Sequence, residues 1–449
     1  MCGIAGILLP IGECIDPEWL KSLDRELSHR GPDDYGFARW SNEDHIDPAT
    51  NDAIAASGGR LALVHRRLSI LDLTRAGWQP MLTEDRRYAI SFNGEVYNYR
   101  ELRQELECLG HRFKSSSDTE VVLASWRQWG HDAFSRFTGM FAVAIVDLIN
   151  RTLTLARDPF GIKPLYWTEW RGGVSFASEI PALLCLPGCE REISADNAYD
   201  FLAYGHSDRG ETTMLEGIFR VPAGCCLKFD LESCKQLPVF RFWDPIIETN
   251  ETMGEMDAVE CLRETFIRSV SLHLRSDVPV GIALSGGIDS TSILGAVDQL
   301  GLNDNIKAFS FISEDPVQSE EKWIDLSAKH YSVDVHKIRP ESGDFIDDLN
   351  RLMRSQGEPF ATAGMFAQAR VFECVQKLGI KVTLDGQGAD ELLAGYPTYM
   401  LARMADLFSD LRFGEIADML SAIGFRTLPR SLLMAVAPRF DTAARRFHA

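Results

Sequence analysis

A chain of 449 residues is long enough for two or three domains, each with its own hydrophobic core. Its net charge of -19 disfavours nonspecific binding to nucleic acid or to anionic membrane surfaces, and no apolar stretch is long and uncharged enough to span a bilayer. The 10 cysteines come without a signal peptide or a disulfide-scaffold pattern. We therefore expect a cytoplasmic protein that binds neither nucleic acid nor a membrane.

A cysteine directly follows the initiator methionine in the opening stretch MCGIAGILLP. If Met1 is removed, Cys2 carries a thiol and a free α-amine, whose pKa values are roughly 8.5 and 8 in model peptides. The amine can take the proton of the thiol, so that one residue supplies both the nucleophile and its base. Position alone leaves two interpretations open, a catalytic N-terminal cysteine and a cysteine placed there by chance.

The first half of the chain contains short alternating apolar runs, broken by Gly, Asn and Asp, that predict strands and turns. The runs are RLALVHRRLSILDL, RYAISFNGEVYN, MFAVAIVDLINRTLTLARD and GGVSFASEI. The third run predicts a hairpin that turns at Ile149 to Arg151. The later segment VPAGCCLKFDLESCKQLPVFRFWDP contains several prolines and is interpreted as irregular, the end of a β-rich N-terminal domain and a connection to the next.

Strands and helices alternate in the second half, a pattern that predicts a parallel sheet in an α/β domain. The segment ECLRETFIRSVSLHLRS has helical spacing, and PVGIALSGGIDSTSILGAV predicts a buried strand, a glycine turn and a helix. The stretches IKAFSFIS and VDVHKIRP predict strands on either side of a helix over Glu320 to His330. The segment IKVTLDGQGADELLAGY repeats the order of strand, glycine turn and helix.

The glycine turn in LSGGIDSTS predicts a nucleotide-phosphate site. Gly286 and Gly287 let the backbone approach a ligand closely, and the N–H groups at the start of the next helix suit an anion. A helix cap by Asp289 or Ser290 is the plain structural alternative. No GxxxxGK[ST] motif is present, which argues against ordinary γ-phosphate hydrolysis. The SGGxDS pattern resembles the pyrophosphate loop of ATP pyrophosphatases, which adenylate a substrate and release pyrophosphate.

A second glycine turn, LDGQGADE, places acidic residues beside the predicted phosphate site. Carboxylates there would repel a phosphate unless a cation lies between them, and Mg²⁺ commonly bridges carboxylate and phosphate oxygens. Asp289 and Asp390 are the candidate Mg²⁺ ligands, although acidic residues also simply favour a helix N-terminus. The candidate ATP-binding residues of the two turns are Leu284, Ser285, Gly286, Gly287, Asp289, Ser290, Asp385 and Gly386.

Motifs from both halves occur together in one order along the chain. They are MCGIAGI, HRGPDD, HRRLSILDL, SFNGEVYNY, SSDTE, RDPFGIKPLYW, LSGGIDS and DGQGADE. From Met1 to about Tyr396 the chain resembles the glutamine-hydrolysing asparagine synthetases of the asparagine synthetase B type. The resemblance implies an α+β, N-terminal-nucleophile glutaminase domain (class II amidotransferase) of stacked antiparallel sheets flanked by helices, followed by a parallel-sheet α/β ATP-pyrophosphatase domain. The expected ranges are 1–215 for the first domain, 216–254 for a connecting segment and 255–449 for the second domain.

The resemblance also implies roles for individual residues of the first domain. Cys2 matches the residue that attacks the side-chain amide of glutamine. Asn93 and Gly94 match the oxyanion hole, where an amide side chain and a backbone N–H stabilise developing negative charge. Arg67 matches the arginine that holds the glutamine α-carboxylate, a task for which a bidentate guanidinium is suited. The residues that match those holding the α-amino group are Glu95 and Asp118.

In the resembled family, the second domain uses ATP to adenylate the β-carboxylate of aspartate, and ammonia from the first domain then displaces AMP. Two departures from the family pattern bear on this reaction. Gln387 stands where a glutamate is thought to act as base, and a glutamine cannot accept a proton usefully at neutral pH. The chain also ends at Ala449, before a later lysine-bearing motif of the family, so that we expect a second domain shortened at its C-terminus.

These departures leave alternatives open beside an Mg²⁺-dependent asparagine synthetase that uses glutamine, aspartate and ATP. One is an amidotransferase for another carboxylate, such as a sugar acid or a natural-product precursor. Another is a glutaminase or regulatory remnant that lacks synthetase activity. A homodimer is compatible with the resemblance, but the sequence does not fix an oligomeric state.

Overall fold

The computed structural model describes residues 1–40, 46–49, 59–207, 210–248, 252–303, 306–341, 343–360 and 362–423. Three sheets organise this part of the chain, two antiparallel sheets before residue 242 and one parallel sheet after residue 279. No helix in the described ranges combines the length and the apolarity that crossing a membrane requires. The predicted part of the second domain after residue 423 lies outside the described residues.

The first part contains strands interrupted by short helices. In chain order its elements are β1 (Gly3–Leu8), α1 (Pro17–Glu26), β2 (Asp34–Trp40), β3 (Ile46–Ala49), β4 (Leu61–Arg67), β5 (Met81–Leu82), β6 (Tyr88–Val96), α2 (Tyr99–Cys108), α3 (Asp118–Trp129), β7 (Gly139–Asp147), β8 (Thr152–Arg157), β9 (Tyr166–Trp170), β10 (Gly173–Ala177), α4 (Ile180–Leu184), α5 (Ala195–Tyr204), β11 (Ile218–Arg220), β12 (Cys225–Asp230) and β13 (Phe240–Arg241).

The two antiparallel sheets of this part stack face to face. The first sheet has the order β11-β9-β10-β1-β4-β2-β3, and the second has the order β13-β12-β8-β7-β6-β5. Ile4 and Leu63 of the first sheet share one buried apolar cluster with Ala144 and Leu155 of the second. Because each strand alternates its side chains between two faces, the opposite faces need cover of their own. Helix α1 packs on the outer face of the first sheet, and helices α2 and α3 pack on the outer face of the second.

The expected layers of stacked antiparallel sheets flanked by helices are therefore confirmed. The predicted hairpin is formed by β7 and β8, which pair with Asp147 opposite Thr152. The segment interpreted as irregular instead contains two strands. Strand β12 pairs with β8, and β13 pairs with β12 at the edge of the second sheet. The domain ranges 1–215, 216–254 and 255–449 stay a prediction, although strands within the middle range complete the first two sheets.

The second part follows the predicted alternation of strands and helices. In chain order its elements are α6 (Glu255–His273), β14 (Val280–Ala283), α7 (Ile288–Gln299), β15 (Lys307–Phe311), α8 (Glu321–Tyr331), β16 (Val335–Ile338), α9 (Asp344–Gln356), α10 (Gly364–Lys377), β17 (Val382–Leu384), α11 (Ala389–Leu393), α12 (Pro397–Ser409) and α13 (Phe413–Ile423).

Its four strands form the predicted parallel sheet, in the order β16-β15-β14-β17. Helices α6, α7 and α8 contribute to a buried apolar cluster with β14, and α10 packs against Phe309 of β15 in a second cluster. Burial on both faces fits the apolar sequence of the inner strand β14, whereas the edge strand β16 is only partly buried and carries His336 and Lys337. The carboxyl ends of adjacent parallel strands lie at one edge of the sheet, so the turns after β14 and β17 are neighbours.

A buried ion pair joins the two parts of the chain. Glu358, which follows α9, accepts a hydrogen bond from the guanidinium of Arg220 at the end of β11. Its other carboxylate oxygen accepts the N–H of Met214 at 2.8 Å. Both charged side chains are 7% exposed, so removing either one would leave an uncompensated charge in the interface. This contact holds the second part against the edge of the first sheet.

Candidate active site

The Cys2 sulfur lies at the start of β1, in the middle of the first sheet. The N–H of Leu68, directly after β4, donates to Sγ at 3.3 Å. The Nε of Arg30 donates to the carbonyl oxygen of Cys2 at 2.8 Å, and its Nη1 pairs with Glu179 at 2.6 Å. Backbone and side-chain contacts therefore fix the position of the thiol before any ligand binds.

The charges around Cys2 act on its thiol in opposite directions. Burial raises the pKa of the thiol, whereas the terminal amine, the Leu68 N–H and the Arg67 guanidinium lower it and the Glu95 charge raises it further. The net effect is a raised pKa, so the thiol is protonated near neutral pH and needs a base.

An amine close to the sulfur has the basicity for this task. In the chain with Met1, burial lowers the pKa of the terminal amine to about 6, and the amine donates to the carbonyl of Arg30 at 3.3 Å. An amine with that pKa is mostly neutral at pH 7 and can accept a proton. Removal of Met1 would place the α-amine on Cys2 itself, as the sequence predicts.

Asn93 lies in β6 with 1% of its surface exposed, and its side-chain Nδ2 has no hydrogen-bond partner among the described residues. A buried amide without an acceptor is uncommon, since its desolvation costs about 1–3 kcal/mol. The group is therefore ready to receive an acceptor that is not part of the protein. This arrangement fits the predicted oxyanion-hole role.

The adjacent Gly94 presents a second donor on the exposed side of the same strand. Phe92 and Val96, each two residues away, direct their N–H groups away from β7, to Gln79 Oε1 at 2.7 Å and to Asp118 Oδ2 at 3.0 Å. Alternation along the strand turns the Gly94 N–H to the same side. The strand β5 pairs with β6 only at Ile90 and Ala89, so it does not reach this position.

A glycine is required at position 94 because the opposite strand lies very close. A Cβ atom there would be 2.4 Å from the carbonyl oxygen of Met140. The two predicted oxyanion donors thus come from consecutive residues of one rigid strand. Their positions are set by pairing of β6 with β7, where Gly94 lies opposite Phe141.

Arg67 is buried and holds the loop that follows β4. Its guanidinium donates to the carbonyl oxygens of Leu71 and Thr74 at 3.1 Å and of Asp72 at 2.6 Å. A Cβ on Gly77 would lie 2.1 Å from Nη2 and 2.9 Å from the carbonyl oxygen of Asp72, so a larger residue there would displace the guanidinium. These bonds use three of the five guanidinium donors, which leaves capacity for the predicted carboxylate.

Glu95 and Asp118 form a pair of neighbouring carboxyl groups. Burial, and next the charge of Asp118, raise the pKa of Glu95 well above its usual range. Burial also raises the pKa of Asp118 to about 6, against the opposing effect of the Val96 N–H. An ammonium group between them would relieve the repulsion and favour both charged forms. The pair therefore fits the predicted contact with an α-amino group.

The second candidate site lies at the carboxyl edge of the parallel sheet. After β14, Ser285 Oγ accepts the N–H of Gly287 at 3.2 Å and lies 3.0 Å from Ser290 Oγ. Gly286 has φ +86, in the left-handed region that favours glycine. Helix α7 then begins at Ile288, so its first N–H groups point toward this turn.

The second glycine turn, after β17, touches the first. A Cβ atom on Gly386 would lie 2.8 Å from the Cβ of Asp289 and 3.1 Å from the nitrogen of Ser290. The neighbouring Asp385 accepts the N–H of Gln387 at 3.1 Å. The structure thus brings the two predicted phosphate-binding turns together, with Leu284 buried beneath them.

The predicted Mg²⁺ ligands, Asp289 and Asp390, follow these two turns on α7 and α11. Throughout the described ranges, no group of three or more His, Cys, Asp or Glu side chains converges as a site made of protein ligands alone would require. Mg²⁺ usually takes one or two carboxylates together with substrate phosphates, so the two residues suit a metal that arrives with a nucleotide.

Three contributors to the first site were not predicted from the sequence. Leu68 acts through its backbone N–H, so the identity of its side chain carries no signal. Gln79 supports β6 through its side chain, which accepts the N–H of Phe92 13 residues later, and no motif in the sequence marks it for this contact. Arg30 lies in HRGPDD, a motif to which no role was assigned. Its place in that motif is a sequence signal that could have identified it.

Two protein-family models match the chain. The glutamine amidotransferase domain matches residues 1–243, and asparagine synthase matches residues 261–447. The second match continues past Tyr396, so the end of the resemblance expected there was placed too early. The division between the two matches agrees with the strands observed up to Arg241.

Several curated proteins are similar to the chain over most of its length. Asparagine synthetase [glutamine-hydrolyzing] 1 of Bacillus subtilis is 33% identical over 404 residues, which cover 89% of this chain and 59% of that protein. Asparagine synthetase [glutamine-hydrolyzing] 2 of the same organism is 32% identical, with 89% and 52% covered. Amidase chyE of Penicillium rubens is 29% identical, with 91% and 61% covered. The chain thus spans between about half and two-thirds of the length of these relatives.

Among solved structures, a glutamine phosphoribosylpyrophosphate amidotransferase from B. subtilis matches with a TM-score of 0.41 and 16% identity. That match covers 86% of this chain and 81% of the other chain. A likeness of this size supports no statement about activity or substrate.

Replacing Asn93 should slow glutamine hydrolysis without unfolding the protein. Asn93→Ala removes the unpartnered Nδ2, and loss of one oxyanion donor typically lowers kcat by about 10²–10³-fold. Thr154→Val is the matched control, because Thr154 Oγ1 is also buried in the same sheet and has no partner in the described part of the chain. Glutamate release is measured for both variants. Equal losses in the two variants would show that the Asn93 amide has no special role.

Glutamine binding should weaken in acid because the carboxyl pair loses its charge. With the pKa of Asp118 raised to about 6, that group becomes neutral as the pH falls below 6 and no longer attracts an ammonium. The Cys2→Ala variant, which cannot react, allows calorimetric titration with glutamine between pH 5 and 8. The Kd should rise toward pH 5, and adding Asp118→Asn should raise it at every pH and flatten the profile. An unchanged profile in the double variant would contradict the assignment.

Proposed function

The chain belongs to the family of glutamine amidotransferases that carry an asparagine synthase domain, and from this membership we propose that it is a glutamine-dependent, ATP-consuming amidating ligase. Glutamine would be hydrolysed at Cys2, and the ammonia released would be joined to a carboxylate activated in the second domain. The observation that carries the first half is the pair of donors on β6, the unpartnered Nδ2 of Asn93 and the outward-facing N–H of Gly94.

In the first half-reaction, the free α-amine takes the proton of the Cys2 thiol and the sulfur attacks the side-chain carbonyl carbon of glutamine. The Asn93 and Gly94 donors stabilise the oxygen anion that forms. The amine returns its proton to the leaving nitrogen, so ammonia departs and a γ-glutamyl thioester remains. Attack by water on this thioester releases glutamate and restores the thiol.

The binding groups of the first site match the two ends of an amino acid. The remaining donors of Arg67 suit the α-carboxylate of glutamine, and Glu95 with Asp118 suits its α-ammonium. With the α-carboxylate and the α-ammonium of glutamine both bound, its side-chain amide would extend toward the Cys2 sulfur. The binding energy of these two groups would thus be used to orient the reacting amide.

In the second half-reaction, the turns after β14 and β17 would hold the phosphates of ATP. Backbone N–H groups and the start of α7 supply this binding without a Walker lysine. The carboxylate substrate would attack the α-phosphorus, so that pyrophosphate leaves and an acyl adenylate forms. Ammonia would then displace AMP. Asp289 and Asp390 would hold a Mg²⁺ ion, which contributes neutralisation of phosphate charge.

We propose aspartate as the leading acceptor, with asparagine as the product. Relatives named asparagine synthetase favour this substrate. Gln387 favours a second candidate, an amidotransferase for a different carboxylate, because it offers no carboxylate base where the resembled family has one. The side chain of Gln387 is exposed at the turn, where it is accessible to an acceptor.

A product assay tests the proposed function. The chain is incubated with glutamine, Mg-ATP and a panel of carboxylic acids that includes aspartate, and the amide product and nucleotides are identified. We expect an amide, AMP and pyrophosphate, because the sequence has no GxxxxGK[ST] motif to place a lysine at the γ-phosphate. Cys2→Ala should abolish glutamine use while ammonia still supports amide formation. Asp289→Asn should strongly impair ATP cleavage and leave glutamate release largely unchanged.

Three results would overturn parts of this proposal. Normal glutamate release by Cys2→Ala would reject the nucleophile. Formation of ADP and orthophosphate would reject the assignment of the nucleotide turns. Amide formation from another acid of the panel, with none from aspartate, would reject aspartate and favour the second candidate.

A further inference from the structure

Lys381 of the second domain reaches the segment that holds the Cys2 sulfur. Its Nζ donates to Oδ2 of Asp33 at 2.6 Å and to the carbonyl oxygen of Ser69 at 3.4 Å. The same Asp33 oxygen accepts the N–H of Ser69 at 2.7 Å. The side chains of Lys381 and Asp33 are 30% and 28% exposed, so the pair is partly shielded from solvent.

The segment bound in this way continues directly to the nucleophile. Ser69 follows Leu68, whose N–H is the donor to the Cys2 sulfur. Asp33 is also fixed from the other side, because its own N–H donates to the carbonyl oxygen of Arg67 at 3.1 Å. A charge from the second domain therefore lies three hydrogen-bonded contacts from the reacting atom.

A second residue of the same domain holds the next part of the segment. Asp277 accepts the N–H of Asp72 at 2.8 Å, and its own N–H donates to the carbonyl oxygen of Ile70 at 3.1 Å. Lys381 immediately precedes β17, and Asp277 lies three residues before β14. The two strands β14 and β17 are neighbours in the parallel sheet. Residues just before two adjacent strands, β14 and β17, thus contact residues 69–72, while the carboxyl ends of these strands lead to the two glycine turns.

We propose that Lys381 is a positioning residue for glutamine hydrolysis, which holds Asp33 and through it the Leu68–Ser69 backbone against Cys2. The inference rests on the proposed role of Cys2 as the nucleophile. It adds that the glutaminase site is completed by the second domain. It also places the contact on the strand that leads to the ATP turn at Asp385.

Loss of the Lys381 charge should act on the sulfur more than on glutamine binding. Asp33 would still accept the hydrogen bond from the Ser69 N–H but would lose its cationic partner. The hydrogen bond from the Leu68 N–H to the Cys2 sulfur would then be weaker. A weaker bond to the thiolate favours the protonated thiol. The other charged groups that act on Cys2 would be unchanged, namely the terminal amine, Arg67, Lys163 and Glu95.

The experiment compares Lys381→Met with Lys381→Arg in the full chain. Lys381→Met should lower kcat for glutamate release about tenfold with little change in KM, because a small displacement of a nucleophile slows the chemical step. It should also shift the pH profile of Cys2 alkylation by iodoacetamide, followed on the N-terminal peptide, to higher pH. Lys381→Arg keeps the charge and should recover most of the activity.

Lys337→Met is the matched control, since Lys337 is 25% exposed and pairs with Glu321 and Asp325 within the second domain. Its glutamate release and alkylation profile should equal those of the unmodified chain. Asp33→Asn approaches the contact from the other side and should give a similar loss. The double variant with Lys381→Met should be no slower than the single variants, as expected for one shared interaction.

The outcomes separate this inference from the proposed function. Unchanged kcat and alkylation in Lys381→Met, while Cys2→Ala is inactive, would overturn the role of Lys381 and leave the nucleophile intact. Additive losses in the double variant, or equal losses in Lys337→Met, would overturn it too. If Lys381→Met does not fold, Lys381→Gln takes its place in the comparison. The presence or absence of the alkylation shift in that variant then decides the role of Lys381.

Discussion

Pairing of β1 on both of its edges is the constraint on which the first site depends. This strand lies between β4 and β10, and all six of its residues are buried. Both faces of the strand are packed, and a shift of its register by one residue would exchange the side chains between the two apolar clusters and place a Cβ where Gly6 now lies against the Phe176 ring. The register of β1 therefore also sets the position of Cys2, which directly precedes the strand, relative to β4 and β10. The sulfur then lies where the backbone after β4 can donate to it and where the charges of β6 act on it.

The site also contains buried polar groups that do not stabilise the fold. The Asn93 amide is buried without an acceptor among the described residues, and burial together with the charge of Asp118 raises the pKa of Glu95. Such features are costly in an ordinary core and concentrate where a ligand relieves them. Under the proposed function, a bound glutamine would supply a carbonyl oxygen to the Asn93 amide and an ammonium group to the two carboxyl groups.

The sequence predicted the elements with local signals. The alternation of apolar residues predicted the strands around Asn93, and the two glycine turns predicted a shared site after β14 and β17, where the structure places them in contact. The strand at Cys225–Asp230 was missed, because prolines on either side of it made the whole segment look irregular, and the short run is ordered by pairing with β8. Lys381 and Asp33 are 348 residues apart in the chain, and no local pattern reports a contact of that range. Leu68 acts through its backbone, which a side-chain motif cannot reveal.

Covalent labelling with a diazoketone analogue of glutamine tests the central role of Cys2 most directly. The Cys2 sulfur would displace nitrogen from the reagent and form a carbon–sulfur bond, which mass spectrometry can locate on the N-terminal peptide. With 10 cysteines in the chain, selectivity is informative. We predict one adduct per chain, on Cys2 of molecules that have lost Met1, with loss of glutamine hydrolysis in parallel. Inactivation with the adduct on another cysteine, or full labelling of Cys2 without loss of hydrolysis, would contradict the assignment.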